Sequence, residues 1–158
     1  MDNLSILYLP RINADMADKR RYDIISLMSD SKLLYEKESY KIRGACFSVF
    51  NTLGGGIKES IIEKALVKEL NDSGLSTKKE KIDIFYKSSK IGVYIPDIMI
   101  NDKILIELKS KPIITKEDEK QFWGYLKGSK YELGFLVNFG HNKLSIKRII
   151  HSNKPVSA

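Results

Sequence analysis

The sequence predicts an α/β domain, and three observations predict it. Apolar residues recur at helical spacing through two consecutive segments, beginning near residue 36. Three runs rich in Ile, Val, Phe and Tyr follow. A segment with helix-start chemistry then separates these from two further strand-like runs, so the order reads α, α, β, β, β, α, β, β.

In the first segment Ile42, Ala45, Cys46, Val49, Phe50 and Leu53 form one helical stripe, closed by Gly54-Gly55-Gly56. Ile61, Ile62, Ala65, Leu66 and Leu70 form the second, and Gly74 stands where a helix terminator belongs. Strands are expected over 81–86 and 91–100, around a turn at 87–90, and over 104–109. Thr115 followed by Lys116, Glu117 and Asp118 reads as an N-cap with acids in the first turn, opening a helix to about Lys127. Runs over 133–139 and 144–150 close the domain around Gly140-His141-Asn142. Residues 1–35 lack a clean period: Lys19-Arg20-Arg21 form a basic cluster, and Ile24, Ile25, Leu27 and Met28 suit one short helix in an N-terminal extension. The domain is expected over 36–151, with a frayed tail over 152–158.

The chain has 158 residues and 18.1 kDa, with 42% hydrophobic and 30% charged residues, enough for one packed core. The early apolar stretch 4–9 is too short, and wrongly flanked, for a signal or a bilayer span, so no membrane association is expected. Cys46 is the single cysteine, which excludes an internal disulfide and a multi-cysteine zinc site, and a cytoplasmic setting fits. The basic surplus is uneven: residues 1–100 carry 16 Lys and Arg against 14 Asp and Glu, residues 101–158 carry 11 against 6. The C-terminal part therefore favours a polyanion, a balance compatible with nucleic acid though not specific to it.

The informative stretch is Pro96-Asp97 through Glu107-Leu108-Lys109. Directly opposed residues of an antiparallel pair share a face, so loop length decides which side chains meet. A two-residue loop at Asn101-Asp102 pairs 97 with 106 and divides Asp97 from Glu107. A three-residue loop over 101–103 pairs 100 with 104, 98 with 106 and 97 with 107, which gathers Ile98, Ile100, Ile104, Ile106 and Leu108 on one face. A buried CH₂ is worth about 0.8 kcal/mol, so burial selects the second register. Asp97 then faces Glu107, with Lys109 on the same side.

Two adjacent carboxylates repel unless one is protonated or a cation lies between them, and hard Mg²⁺ or Mn²⁺ suits such oxygens. That ion would polarise a phosphoryl oxygen and activate water, with Lys109 placing the water. The competing reading is a solvated face on which the acids pair with lysines. Glu59 heads the column Ile62, Leu66, Leu70 and reaches the edge of the acidic patch, or, if Gly56 is the N-cap, folds back on the free backbone amides. Gln121 and Tyr125 share a helix face and offer hydrogen bonds to water or phosphate, or else pack and solvate in place. The triple glycine lacks the rest of a phosphate-binding loop, and His141 and His151 do not suggest a histidine centre.

Gly56-Ile57-Lys58-Glu59, the Pro96-Asp97 to Glu107-Leu108-Lys109 hairpin, Gln121 to Tyr125 and Leu136-Val137-Asn138-Phe139-Gly140 together resemble the GxxExxR protein family of the PD-(D/E)XK nuclease superfamily. Gln121-Phe122-Trp123-Gly124-Tyr125 is similar to the QxxxY element of RecB-type nucleases. The resemblance covers about 36–150, and Ile62 stands where the family has Arg. It implies a restriction-endonuclease-like core, a mixed central sheet flanked by helices, and Mg²⁺-dependent hydrolysis of nucleic acid, DNA before RNA. Asp97, Glu107, the Leu108 carbonyl and Glu59 are then the metal ligands. Lys109, Gln121 and Tyr125 complete the catalytic set, and Lys109, Lys111 and Tyr125 meet nucleic acid. A homodimer is left open, and the alternative is a non-cleaving nucleic-acid or protein-binding module on the same fold.

Overall fold

The computed structural model describes residues 34–152. The expectations for the N-terminal extension, with its basic cluster and short helix, and for the tail beyond Ser152 lie outside the described residues.

Helix α1 (Glu36–Leu53) buries Ile42, Ala45, Cys46 and Val49, the spacing expected of one stripe. Burial pushes the Cys46 thiol up to about 12, so it is a packing group. Leu53 departs from the expected stripe and is exposed, because Gly54 turns the chain with a φ of 76°. The glycines that follow meet the far end of the sheet: a Cβ on Gly55 would strike the Gly140 carbonyl, and the Gly56 N–H donates to the Phe139 carbonyl at 2.9 Å. This segment is a close-packed joint.

Helix α2 (Glu59–Asp72) buries Ile62, Leu66 and Leu70, and Gly74 ends it with a φ of 86°. Its N-cap is Lys58, two residues beyond the Gly56 cap considered from sequence, so Glu59 is the first helical residue. A two-residue strand, β1 (Thr77–Lys78), was not anticipated. The expected single strand over 91–100 is two, β3 (Ser89–Tyr94) and β4 (Ile98–Ile100): β3 forms a hairpin with β2 (Ile82–Tyr86), and β4 belongs to the main sheet. The break falls at Ile95-Pro96-Asp97, where proline supplies no N–H to a ladder. The hairpin turn is Lys87-Ser88, both at positive φ, tighter than the expected four residues.

Strand β5 (Ile104–Lys109) pairs with β4 in the expected register, Ile98 with Ile106 and Ile100 with Ile104. Helix α3 (Lys116–Gly128) opens with a reciprocal cap between Thr115 and Asp118 and carries the chain over to β6 (Leu133–Phe139), which runs parallel to β5. Strand β7 (Leu144–Ile150) closes the sheet in the order β1-β4-β5-β6-β7.

This five-stranded mixed sheet is buried on both faces. Ile98, Ile100, Ile104, Ile106 and Leu108 line one face with Phe135 and Phe139, and Phe139 meets Phe50 of α1. Met99, Leu105, Leu136 and Ile149 line the other, under Phe122 and Leu126 of α3 and under Ile82 and Tyr94 of the β2–β3 hairpin. Among the described residues no helix is long and apolar enough to cross a membrane.

Phe122 lies directly over Gly134, where a Cβ would come within 2.6 Å of its ring. Gly134→Ala therefore forces a fully packed helix off the sheet. Urea unfolding should show a loss of about 1–3 kcal/mol, with part of it restored by adding Phe122→Leu; a single variant as stable as wild type contradicts this packing.

Candidate active site

The register places the acids. With Ile98 opposite Ile106, Asp97 falls beside Glu107 at the mouth of the β4–β5 pair, and its Oδ2 accepts the Leu108 N–H at 2.7 Å. Lys109, two residues along the same face, donates to Glu107 Oε1 at 3.4 Å. The three side chains expected to act together are brought together.

Three more segments close in on them. The Glu59 Oε1 accepts the Ser110 N–H at 3.1 Å, and Ser110 Oγ donates to the Ile57 carbonyl at 2.5 Å, so the start of α2 is stitched to the end of β5. Glu59 thus points across the fold and not back along its own helix. One turn on, Glu63 holds the Lys79 ammonium at 2.9 and 3.0 Å, and the same ammonium lies 3.9 Å from Asp97 Oδ1. From the hairpin, the Tyr94 hydroxyl donates to Glu107 Oε2. The Tyr94 ring stacks on Tyr125 of α3, centroids 4.1 Å apart and planes 7° apart.

Tyr125 therefore reaches the acids through Tyr94. Gln121 is exposed one turn earlier on the same side of α3. Lys111 lies farther along, with its ammonium paired to Asp118 and its backbone bracketed by the Asn138 amide at 3.1 and 2.8 Å. Its charge serves the α3 cap. Ile62, where the resemblance to the GxxExxR family would place an Arg, is fully buried in α2's core column.

Sequence reasoning missed Tyr94 and Lys79. A tyrosine at an inward strand position needs a partner for its hydroxyl, and that was the available signal for Tyr94. Lys79 stands in Lys78-Lys79-Glu80-Lys81 with nothing local to distinguish it.

Burial pushes the Asp97 carboxyl above its ordinary range; the Leu108 N–H and Lys79 oppose that rise, while Glu63 and Glu59 add to it. Burial also pushes Glu107 up, held back by the Tyr94 hydroxyl and Lys109 and driven further by Asp97. Tyr94 itself is raised by burial and by Glu107, and so remains a neutral donor. Among the described residues no three His, Cys, Asp or Glu side chains form a ready cage for a metal. The fit instead rests on donor chemistry: two half-buried carboxylates that resist ionisation together, hard oxygens throughout, and an Asp97 Oδ1 whose cationic neighbour stands off at 3.9 Å.

A mixed five-stranded sheet flanked by helices, with paired acids and a lysine on its central hairpin, is a restriction-endonuclease-like core. A family model for the PD-(D/E)XK nuclease superfamily matches residues 36–149, and the chain belongs to that superfamily. No curated protein and no solved structure matches it.

Because the Tyr94 hydroxyl holds the Glu107 carboxyl down, Tyr94→Phe should shift the Glu107 titration upward, read by carboxyl-selective NMR with the fold checked by circular dichroism. An unchanged or lower titration contradicts the assigned hydrogen bond.

Proposed function

We propose that the protein is a metal-dependent nuclease that hydrolyses phosphodiester bonds, with DNA the expected substrate. The observation that carries this reading is the convergence of Asp97, Glu107 and Lys109 on one side of adjoining strands, with both acids pushed toward protonation by burial. Superfamily membership supports it.

Asp97, Glu107 and the Leu108 carbonyl would hold Mg²⁺, with Mn²⁺ as a substitute, and Glu59 would extend the site from α2. When bound, the ion supplies Lewis acidity to the phosphoryl oxygen and lowers the pKa of water. Lys109 orients the attacking water and offsets charge gathering on phosphorus. Tyr94 fixes the rotamer of Glu107, and Tyr125 acts on it through the stacked ring. Lys79 offsets Glu63 and Asp97 until substrate and ion arrive. Gln121 stands ready on the rim, and the product keeps a 5′-phosphate. The finer likeness to the GxxExxR family rests on Gly56 and Glu59, and the RecB-type likeness on Gln121 and Tyr125. A cytoplasmic setting suits the lone buried thiol.

The decisive experiment is cleavage of single-stranded, double-stranded and branched DNA and RNA in Mg²⁺, Mn²⁺ and EDTA. Asp97→Ala should reduce cutting to background and Lys109→Ala by at least about 100-fold, while circular dichroism stays unchanged. Variants as active as wild type refute the assignment, and binding without metal-dependent cutting favours the non-cleaving module.

Raised carboxyls also make a stability prediction. Where the folded pKa exceeds the unfolded one, the ionised group destabilises the fold at neutral pH, and that cost disappears below the unfolded pKa. Asp97→Asn should therefore raise the melting temperature in EDTA at pH 7 by a few degrees, roughly 1 kcal/mol in a domain of this size, and lose the gain near pH 3. Adding Mg²⁺ should stabilise wild type and leave the variant unmoved; a variant less stable in EDTA contradicts the charge balance drawn above.

A further inference from the structure

Helix α3 has two flanks. One bears Tyr125, stacked on Tyr94 beside the acids. The other bears Glu119 and Trp123 and faces β7, where Glu119 pairs with Lys147 at 2.6 Å. A groove of about 420 Å³ runs along this second flank, lined by Trp123, Lys120, Lys147, Ile149 and Ile150. Cross-strand pairing sets Glu107 beside Leu136 and Leu136 beside Lys147, so groove and acids occupy the same face of the sheet. Two strand spacings, roughly 10 Å, separate Lys147 from Glu107.

Trp123 is the unusual member. An indole is normally most valuable in a core, yet this ring is 42% exposed. It is held in place all the same: the Lys127 ammonium lies 4.7 Å from its centroid, and the His151 ring stands T-shaped to it, centroids 6.1 Å apart and planes at 80°. Among the described residues lining the groove, Lys120 and Lys147 stand on this face against Glu119, which pairs with Lys147, and Lys127 adds a further cation beside the ring. An oriented aromatic face over an apolar floor, ringed by ammonium groups, matches an unpaired nucleobase and its flanking phosphates. A base in a duplex offers no free face for such stacking.

We propose that Trp123 is a stacking platform for an unpaired base, with Lys120 and Lys127 receiving the adjoining phosphates, so that the substrate carries a single-stranded segment across α3 beside the acidic site. The proposal rests on the nucleic-acid reading above and deepens it. A strand engaged at Lys109 crosses the exposed outer surface of α3 at Gln121 and Gly124, where a Cβ on Gly124 would meet nothing within 4 Å. Its neighbouring base then reaches the indole.

Trp123 is the chain's single tryptophan, so its fluorescence reports this site alone. The test titrates full-length protein in EDTA with oligothymidylate, oligouridylate and a blunt duplex, following fluorescence and, with labelled strands, anisotropy. Either single strand should quench the emission, and the duplex should not. Trp123→Ala should weaken single-strand binding about tenfold, and Lys120→Ala with Lys127→Ala should weaken it and flatten its salt dependence. Quenching that persists in Asp97→Ala supports the platform whatever the cleavage assay returns. Strand binding or cleavage with unaltered emission overturns the platform and leaves the nuclease reading standing. Absence of binding by any strand overturns it as well. Self-association of wild type that Trp123→Ala abolishes identifies a second copy as the occupant, and also overturns it.

Discussion

The pairing of β4 with β5 is held by burial from both sides, and the geometry of the acids follows from that pairing. Ile98, Ile100, Ile104 and Ile106 are fully buried beneath α1 and α2, and Met99 and Leu105 are fully buried beneath α3 and the β2–β3 hairpin. A slip of one residue would exchange the faces of one strand and separate Asp97 from Glu107. Fully burying an isoleucine is worth roughly 1.5–3 kcal/mol, and several change environment at once. Against this, Asn101 and Asp102 adopt positive φ in the connecting loop, at a cost of about 1 kcal/mol each and less for these two residue types. The core outweighs the turn, and the turn bends to it.

The same burial that orders the acids opposes their charge. Each carboxyl receives some compensation: Asp97 from the Leu108 N–H and distant Lys79, Glu107 from Tyr94 and Lys109. The compensation is incomplete, since both carboxyls remain above their ordinary range. The residual cost is concentrated where a cation would relieve it. Stability given up here is offset elsewhere, in a sheet whose inner strand β6 is buried along its whole length.

How much of this was legible follows from how local each determinant is. The β4–β5 register was legible because alternation along ten or so residues encodes it, and the two helical stripes for the same reason. Glu59 was legible as the head of a column, though its partner Ser110 is 51 residues away and fixed only by the fold. Pro96 signalled a break, yet nothing local showed that β3 would leave the sheet to cover α3. Tyr94 and Lys79 owe their places to that hairpin and to a two-residue strand, both set by tertiary packing. Lys111 illustrates the converse: a lysine counted toward a polyanion surface is occupied by Asp118, whose carboxyl, though raised by burial, is brought down to about 2 by Lys111 and Thr115. A charge count sees the ammonium and not its partner.

Helix α3 ties these parts together because of how closely it lies on the sheet. Gly134 lets the Phe122 ring rest on main chain, and this sets the height at which Tyr125 stands over the sheet. Parallel stacking at 4.1 Å tolerates little lateral movement before overlap is lost, so helix height becomes a constraint on the Tyr94 ring. The Tyr94 hydroxyl then transmits that constraint to Glu107. On the opposite flank the Glu119–Lys147 pair anchors the helix to the edge strand, but its exposed groups provide weak restraint beside the buried contacts. Position of the helix is thus decided at Phe122 and Tyr125, leaving the outer flank open to ligands without disturbing the acids. A glycine on a central strand, with no chemistry of its own, in this way controls how firmly a carboxylate two residues along the neighbouring strand is held.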